Sequence, residues 1–288
     1  MFIILIFFYI ILMNTIKNLV VAGGGAKNLA VIGLLQNINV DSVINFAGVS
    51  SGSMLVYLLS LGYTPFELEE LAVELDLTQF MGEPSIENLF ISKSITNLNN
   101  VKIILQTLTN YKINKDSVTF SELFQITNKS LQIGITSLKE PKFSMFNYTN
   151  TPNINVIDAI LASCSIPGIF PPYKINDKYY CDGFSFNNCP MFLFKNDIKH
   201  TIGILFESNS YSNDFNILEY ISFAISMPST NITKNIMKTY PDNIIVLKKK
   251  NLPMVDFDLS KDKIIQFINH GKNPDNFINK NYFTKLFS

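Results

Sequence analysis

From Asn14 onward, short apolar runs alternate with segments whose apolar positions recur at helical spacing, a pattern that predicts helices wrapped around a parallel sheet. Residues 17–22 read as a strand, and three glycines follow. Leu29, Ile32, Leu35 and Ile38 then share one helical face, which predicts a helix over residues 26–38. Residues 42–47 read as a second strand. Residues 51–61 are apolar nearly all round, as a helix buried on both sides is. Thr64 and Pro65 supply an N-cap and a first-turn proline, opening an amphipathic helix to about Leu75. Between residues 76 and 115 the pattern turns polar and Asn-rich, with a helical patch at 101–108. Phe80, Met81, Phe90 and Ile91 recur there, so a lid or cap region is expected rather than a linker. Strand patterns return at 130–136, 201–206 and 243–247, and residues 174–181 read as a hairpin around Asn176-Asp177. Residues 260–268 look helical, with Gly271 as the expected stop. No repeat or interdomain linker interrupts this, so residues 14–288 are expected to form a single domain.

Residues 1–13 stand apart: all are apolar or aromatic, and the first charge is Lys17. As a helix they would span about 20 Å, short of the ~30 Å hydrocarbon core. They lack the basic start and the small-residue cleavage site of a secretory signal. Three readings stand: a membrane-dipping anchor, an uncleaved or atypical targeting segment, or an upstream artefact with translation starting at Met13.

The 23 basic and 23 acidic residues of the 288-residue chain cancel, which argues against nucleic acid as a partner. The sequence contains no arginine, so a bidentate arginine clamp is excluded. Three cysteines (Cys164, Cys181, Cys189) form no C-x-x-C pair, and only His200 and His270 could assist them. Neither a structural zinc site nor a disulfide framework is expected. Buried free thiols fit better, and they imply a reducing compartment.

Three motifs carry chemistry. Gly48-Val49-Ser50-Ser51-Gly52 lies between a predicted strand and a buried helix, where a sharp turn holds a serine hydroxyl out as a nucleophile. The helix start adds N–H groups for a developing oxyanion. Gly23-Gly24-Gly25-Ala26-Lys27-Asn28 also runs from strand to helix. It reads as a near miss to the dinucleotide fingerprint, with Asp41 as the distant acid. Equally, it reads as an oxyanion loop for Ser50, completed by the N–H of Ser51. The second reading uses both motifs and is preferred. Asp182-Gly183 taken alone is an ordinary Asx-turn.

Together these motifs resemble the patatin-like phospholipases. Members of that family carry a glycine-rich oxyanion loop, a G-x-S-x-G serine and an Asp-Gly aspartate, matched here by residues 23–28, 48–52 and Asp182-Gly183-Phe184. Residues 162–172 resemble the family's approach to the aspartate, and Asn187-Asn188-Cys189-Pro190 its exit. The likeness runs from about Leu19 to Pro190, with a weaker echo at 257–271. Three positions depart from the pattern. Asn28 replaces a glycine, though Asn tolerates a left-handed backbone. Lys27 stands where many members have arginine. Phe184 replaces a small residue and would narrow the pocket or tilt Asp182.

The resemblance implies an α/β fold: a three-layer sandwich with a mostly parallel central sheet and a nucleophile elbow between a strand and a buried helix. It implies Ser50 as nucleophile and Asp182 as base, without metal or cofactor. The oxyanion hole would come from Gly23, Gly24, Gly25 and Ser51, with Ala26, Lys27, Asn28, Gly48, Val49, Gly52, Gly183 and Phe184 supporting the motifs. A Ser–His–Asp triad through His200 or His270 is the rival. The expected substrate is a phospholipid or other glycerolipid ester at a membrane or micelle surface. The expected place is the cytoplasmic face or the membrane itself, with residues 1–13 as a means of attachment. A catalytically weak lipid-binding protein and a dinucleotide-dependent oxidoreductase are the alternatives; protein partners are not indicated.

Overall fold

The alternating apolar runs assemble into one nine-stranded sheet in the computed structural model, which describes residues 15–75, 77, 84–207, 217–248 and 259–278. Its strands are β1 (Asn18–Val21), β2 (Asn45–Val49), β3 (Ser130–Ser137), β4 (Lys142–Phe146), β5 (Tyr173–Ile175), β6 (Lys178–Asp182), β7 (Thr201–Phe206), β8 (Ile244–Leu247) and β9 (Phe277–Ile278). The order is β5-β6-β3-β2-β1-β7-β8-β9, with β4 also paired to β3. The central run from β3 to β8 is parallel, while β4, β6 and β9 join antiparallel. The β5–β6 hairpin turns at Asn176-Asp177 as expected, with Asn176 at φ 51°.

Period-two alternation gives the sheet two apolar faces. Leu19 and Val21 enter the larger core, which is packed with helices. Val20 and Ala22 point the other way, joining Leu205, Ile244 and Val246. That second face is closed by the tight-helical stretch Met191–His200 and by Ile236 and Met237 of a long helix, Ile217–Thr239. Helices thus lie on both sides, making the expected three layers.

The helices ahead of β7 are α1 (Asn28–Leu35), α2 (Ser51–Ser60), α3 (Pro65–Glu74), α4 (Glu87–Ser92), α5 (Asn99–Ile113), α6 (Phe120–Thr127) and α7 (Val156–Ser163), all but α4 contributing to the larger core. With the long helix Ile217–Thr239 as α8, the last is α9 (Lys261–Lys272). Helix α3 opens as anticipated: Thr64 accepts the Glu67 N–H at 3.2 Å, and the Glu67 carboxylate accepts the Thr64 N–H at 2.7 Å. In the stretch 76–115, residues 76 and 78–83, Phe80 and Met81 among them, lie outside the described residues, as do residues 1–13. The helical patch at 101–108 belongs to the longer α5. No helix among the described residues is long and apolar enough to cross a membrane.

Gly271 does not stop its helix; α9 continues to Lys272. A Cβ there would sit 1.7 Å from the Ala30 carbonyl oxygen. The glycine is needed because α1 and α9 meet backbone to backbone, a tertiary demand that imitates a helix-end signal.

The sheet register brings two chain ends together. Strand β3 pairs with β2 as far as Gly134↔Val49, and with β6 from Ile135↔Asp182 onward. Ser50 leaves β2 directly after Val49, so it emerges beside the end of β6.

Gly271→Ala should cost about 1–3 kcal/mol by overpacking the α1–α9 contact. Calorimetry should show a lowered Tm, and an unchanged Tm would contradict backbone contact there.

Candidate active site

Ser50 has φ 53° and ψ −135°, a left-handed backbone that a non-glycine residue adopts only under constraint. Its N–H donates to Ser163 Oγ at 2.7 Å, and that hydroxyl donates onward to the Gly134 carbonyl at 2.7 Å. Its carbonyl accepts the Ser53 N–H at 2.8 Å. The flanking glycines allow α2 to press against the sheet. A Cβ on Gly52 would lie 2.4 Å from the Val21 carbonyl oxygen, and one on Gly48 would lie 2.7 Å from the Ser53 nitrogen. The G-x-S-x-G spacing is therefore a steric requirement of the strand–turn–helix junction.

Asp182 is buried at the end of β6. Its N–H donates to the Ser165 carbonyl at 3.0 Å, and its Oδ1 accepts the Phe184 N–H at 2.8 Å. Burial pushes the carboxyl up to about 7, against the opposing influence of the Ser50 hydroxyl and the Phe184 N–H. The Ser50 hydroxyl is thus near enough to favour the carboxylate, yet the buried Oδ2 has no aligned hydrogen-bond partner. Such a loose contact is common in catalytic sites without substrate. Ser163 and Ser165, two residues apart, hold the two groups in register: one grips the Ser50 backbone, the other the Asp182 backbone. No local sequence signal marks Ser163 for that task, because its partners lie 113 and 29 residues away.

The glycine loop follows β1 at the same end of the sheet. The N–H of Gly23 donates to Asn188 Oδ1 at 2.7 Å, and Asn188 Nδ2 donates back to the Gly23 carbonyl at 3.0 Å. This two-point clamp ties the loop to the chain just past Asp182. The Gly24 N–H donates to Ser51 Oγ at 3.2 Å. Of the four anticipated oxyanion donors, two thus hold internal acceptors, whereas the N–H groups of Gly25 and Ser51 meet none among the described residues. Asn28 is not left-handed: its φ of −66° is ordinary helical backbone, so no glycine is required there for conformation. Its Nδ2 donates to the Ala22 carbonyl at 3.1 Å and to Ser51 Oγ at 2.7 Å. The buried Lys27 ammonium lies 5.9 Å from the Phe206 ring centroid.

A cavity of about 200 Å³ opens at Ser50 and is walled almost wholly by aliphatic side chains from α1, α2, α3 and α5. Gly25, Asn28, Ser51 and Cys164 are its polar or small elements beside Ser50. Burial pushes the Cys164 thiol up. Cys164 and Cys189 are buried and Cys181 is half-buried, all three unbridged. Phe184 does not line this cavity: it packs with Val49 and Phe143 instead, and its N–H donates to Asp182 Oδ1.

Neither histidine borders this site. His200 precedes β7 at the amino ends of the parallel strands, level with Ile44 and so about 20 Å along the strand direction from Ser50. Its Nδ1 meets Asp197 Oδ1 at 2.5 Å. His270 lies on α9, where Nε2 donates to the Lys248 carbonyl at 3.1 Å. The dinucleotide reading meets the same geometric objection. Asp41 is exposed ahead of β2, at the end of the sheet opposite the glycine loop.

Comparisons with known proteins show the family and the fold. The chain is 33% identical over 186 residues to the probable lipid hydrolase 463L of Invertebrate iridescent virus 6, a match covering 61% of this chain and 62% of that relative. It is 27% identical over 290 residues to the uncharacterized protein R571 of Acanthamoeba polyphaga mimivirus, covering 89% and 96% of the two. The crystal structure of VipD from Legionella pneumophila shares the fold, with a TM-score of 0.62 at 14% identity over 94% of this chain and 67% of that one. The family model for patatin-like phospholipase matches residues 19–195, which include the glycine loop, the Ser50 elbow and Asp182. The chain belongs to the patatin-like phospholipase family.

Proposed function

We propose that the protein is a lipid acyl hydrolase of the phospholipase A type, cleaving ester bonds of phospholipids or other glycerolipids through an acyl-enzyme on Ser50. The observation that carries this reading is Ser50 on its constrained turn, beside the buried Asp182 and at the opening of an apolar cavity. The acyl chain occupies the cavity and presents its carbonyl carbon to Ser50 Oγ. Asp182 accepts the hydroxyl proton as the Oγ–carbon bond forms. The N–H groups of Gly25 and Ser51 receive the developing oxyanion. Collapse expels the alcohol, which takes the proton back from Asp182. A water then gives its proton to the same carboxylate and attacks the acyl-enzyme, releasing the fatty acid and restoring Ser50.

A carboxylate at its usual value is a feeble base for a hydroxyl. Burial answers this difficulty by raising the proton affinity of Asp182 to about 7. Its sealed surroundings also strengthen the neighbouring dipoles.

A fluorophosphonate probe should label wild type and fail on Ser50→Ala, which should lose at least 10³-fold in turnover of a fluorogenic ester. Asp182→Asn should lose 10²–10⁴-fold, while His200→Ala should stay near wild type; full activity in Asp182→Asn would sink the dyad. Lipid binding by a folded sample without turnover would favour the lipid-binding alternative.

The rate should fall as pH drops through about 7, because the base must be ionised. Stability runs the opposite way. Between the ordinary aspartate value and about 7, the native protein keeps a proton that the unfolded chain has released, so this contribution is lost as pH rises through that window. Asp182→Asn should accordingly raise Tm at pH 8 while abolishing activity, a combination that melting curves and rates across pH can check.

Ser163→Ala should lower kcat about tenfold or more with little change in KM, since it loosens the turn without touching substrate. Ser163→Thr, which retains the hydroxyl, should recover most of the loss. Asn188→Ala should behave as Ser163→Ala does, through release of Gly23.

A further inference from the structure

Helix α4 has an apolar sequence that the core does not use. Its segment Ile86-Glu87-Asn88-Leu89-Phe90-Ile91 holds four large hydrophobic residues, yet none of the helix is buried. Ile86, Phe90 and Ile91 are 76%, 86% and 81% exposed. A side chain that stays in water in the folded protein contributes nothing to folding through burial, so fold stability does not account for three such residues side by side.

Their placement is specific. The helix stands on a pinched stem: the Ser85 N–H donates to the Ile95 carbonyl at 2.8 Å, closing the loop behind it. The stem is then tied to the main body, with the Ile95 N–H donating to the Gly168 carbonyl and the Thr96 N–H to the Ile169 carbonyl, each at 3.1 Å. Gly168 and Ile169 lie between Ile166 and Phe170, both of which line the Ser50 cavity. On leaving the stem the chain supplies Leu98 and Val101 to the same wall. A solvent-facing apolar prong therefore stands on a stem that is hydrogen-bonded to the chain between two residues of the cavity wall.

We propose that α4 is the element that docks the protein on a lipid bilayer, inserting Ile86, Phe90 and Ile91 among the acyl chains so that the Ser50 cavity opens onto the surface. This rests on the lipid acyl hydrolase reading and adds the docking element to it. A bilayer fits better than a folded protein partner. A stable protein interface needs roughly 800 Å² per side, far more than one short helix offers, whereas insertion needs only side chains that displace lipid. The tip Leu89-Phe90-Ile91 carries no charge, so neutral membranes suffice. Glu87 and the exposed Lys93 flank the tip, within reach of the headgroup layer.

The chain contains no tryptophan, which makes a direct test clean. Phe90→Trp places a single indole at the tip. Ile44→Trp places one at an exposed position at the far end of the sheet, where β2 begins. With phosphatidylcholine vesicles, Phe90→Trp fluorescence should shift to the blue and gain intensity, and Ile44→Trp should not change. Phe90→Asp/Ile91→Asp should lower vesicle binding at least tenfold in sedimentation, while turnover of a water-soluble short-chain ester stays within twofold of wild type. Ser50→Ala should bind vesicles as wild type does and turn over neither substrate. An unshifted Phe90→Trp spectrum, or vesicle binding unaffected by the double substitution, would overturn the docking role even if ester hydrolysis is intact. Loss of soluble-ester turnover in Ser50→Ala tests the hydrolase reading separately.

Discussion

Strand β3 carries two partners in succession, β2 up to Gly134 and β6 from Ile135, and the geometry of the site follows from that handover. Val49 and Asp182 are held opposite adjacent residues of one strand, so the residue after Val49 has to emerge beside the Asp182 carboxylate. The backbone ladder thus does the coarse positioning before any side chain acts. Three further contacts refine it, two through side chains and one through a backbone carbonyl. Ser163 fixes the Ser50 amide, Ser165 accepts the Asp182 amide, and Asn188 clamps Gly23 from both sides. All three lie within 19 residues of Asp182 in the chain, so Ser50, Asp182 and the glycine loop are tied into one unit.

The same burial that would suit Asp182 to the proposed role of base opposes folding at neutral pH. An ionised carboxylate with one aligned hydrogen bond and an Oδ2 lacking another is a costly group in a dry interior. The cost persists because relieving it would return the carboxyl to its solvent value and remove its ability to take a hydroxyl proton. Activity and stability are therefore expected to part company across the pH range near 7, a trade confined to one residue.

The alternation of strand and helix, the capped start of α3, the hairpin at Asn176 and the turn at Ser50 were legible in the sequence because each has a local physical cause. Spacing of apolar positions, a side-chain cap, and glycines where a Cβ would strike backbone can all be read within a few residues. Asp182 was less so. Its Oδ1 does accept the N–H two residues on, as in the plain Asx-turn that Asp-Gly suggests, and only the order of motifs pointed beyond that. Helix α7 hides for a different reason: seven of its eight residues are buried, leaving no polar face to set a period. Gly271 misled because a helix-packing glycine and a helix-ending glycine look alike in sequence. Ser163 and Asn188 hold Ser50 and Gly23, each more than a hundred residues distant, where pattern carries no signal.

Asn28 shows how a departure from the family pattern can be absorbed. A glycine there would leave Ser51 Oγ with the weak Gly24 N–H as its neighbour. With asparagine, the side-chain amide reaches the same oxygen at 2.7 Å while also anchoring to the Ala22 carbonyl at the end of β1. A hydroxyl has two acceptor lone pairs and one proton to donate. Both lone pairs of Ser51 are now engaged by N–H donors, so donation is the one capacity its hydroxyl retains, and Ser51 lines the cavity beside Ser50. The asparagine therefore does more than fill a glycine's place: it constrains a hydroxyl next to Ser50 to face its surroundings as a donor, the polarity that a developing oxyanion needs.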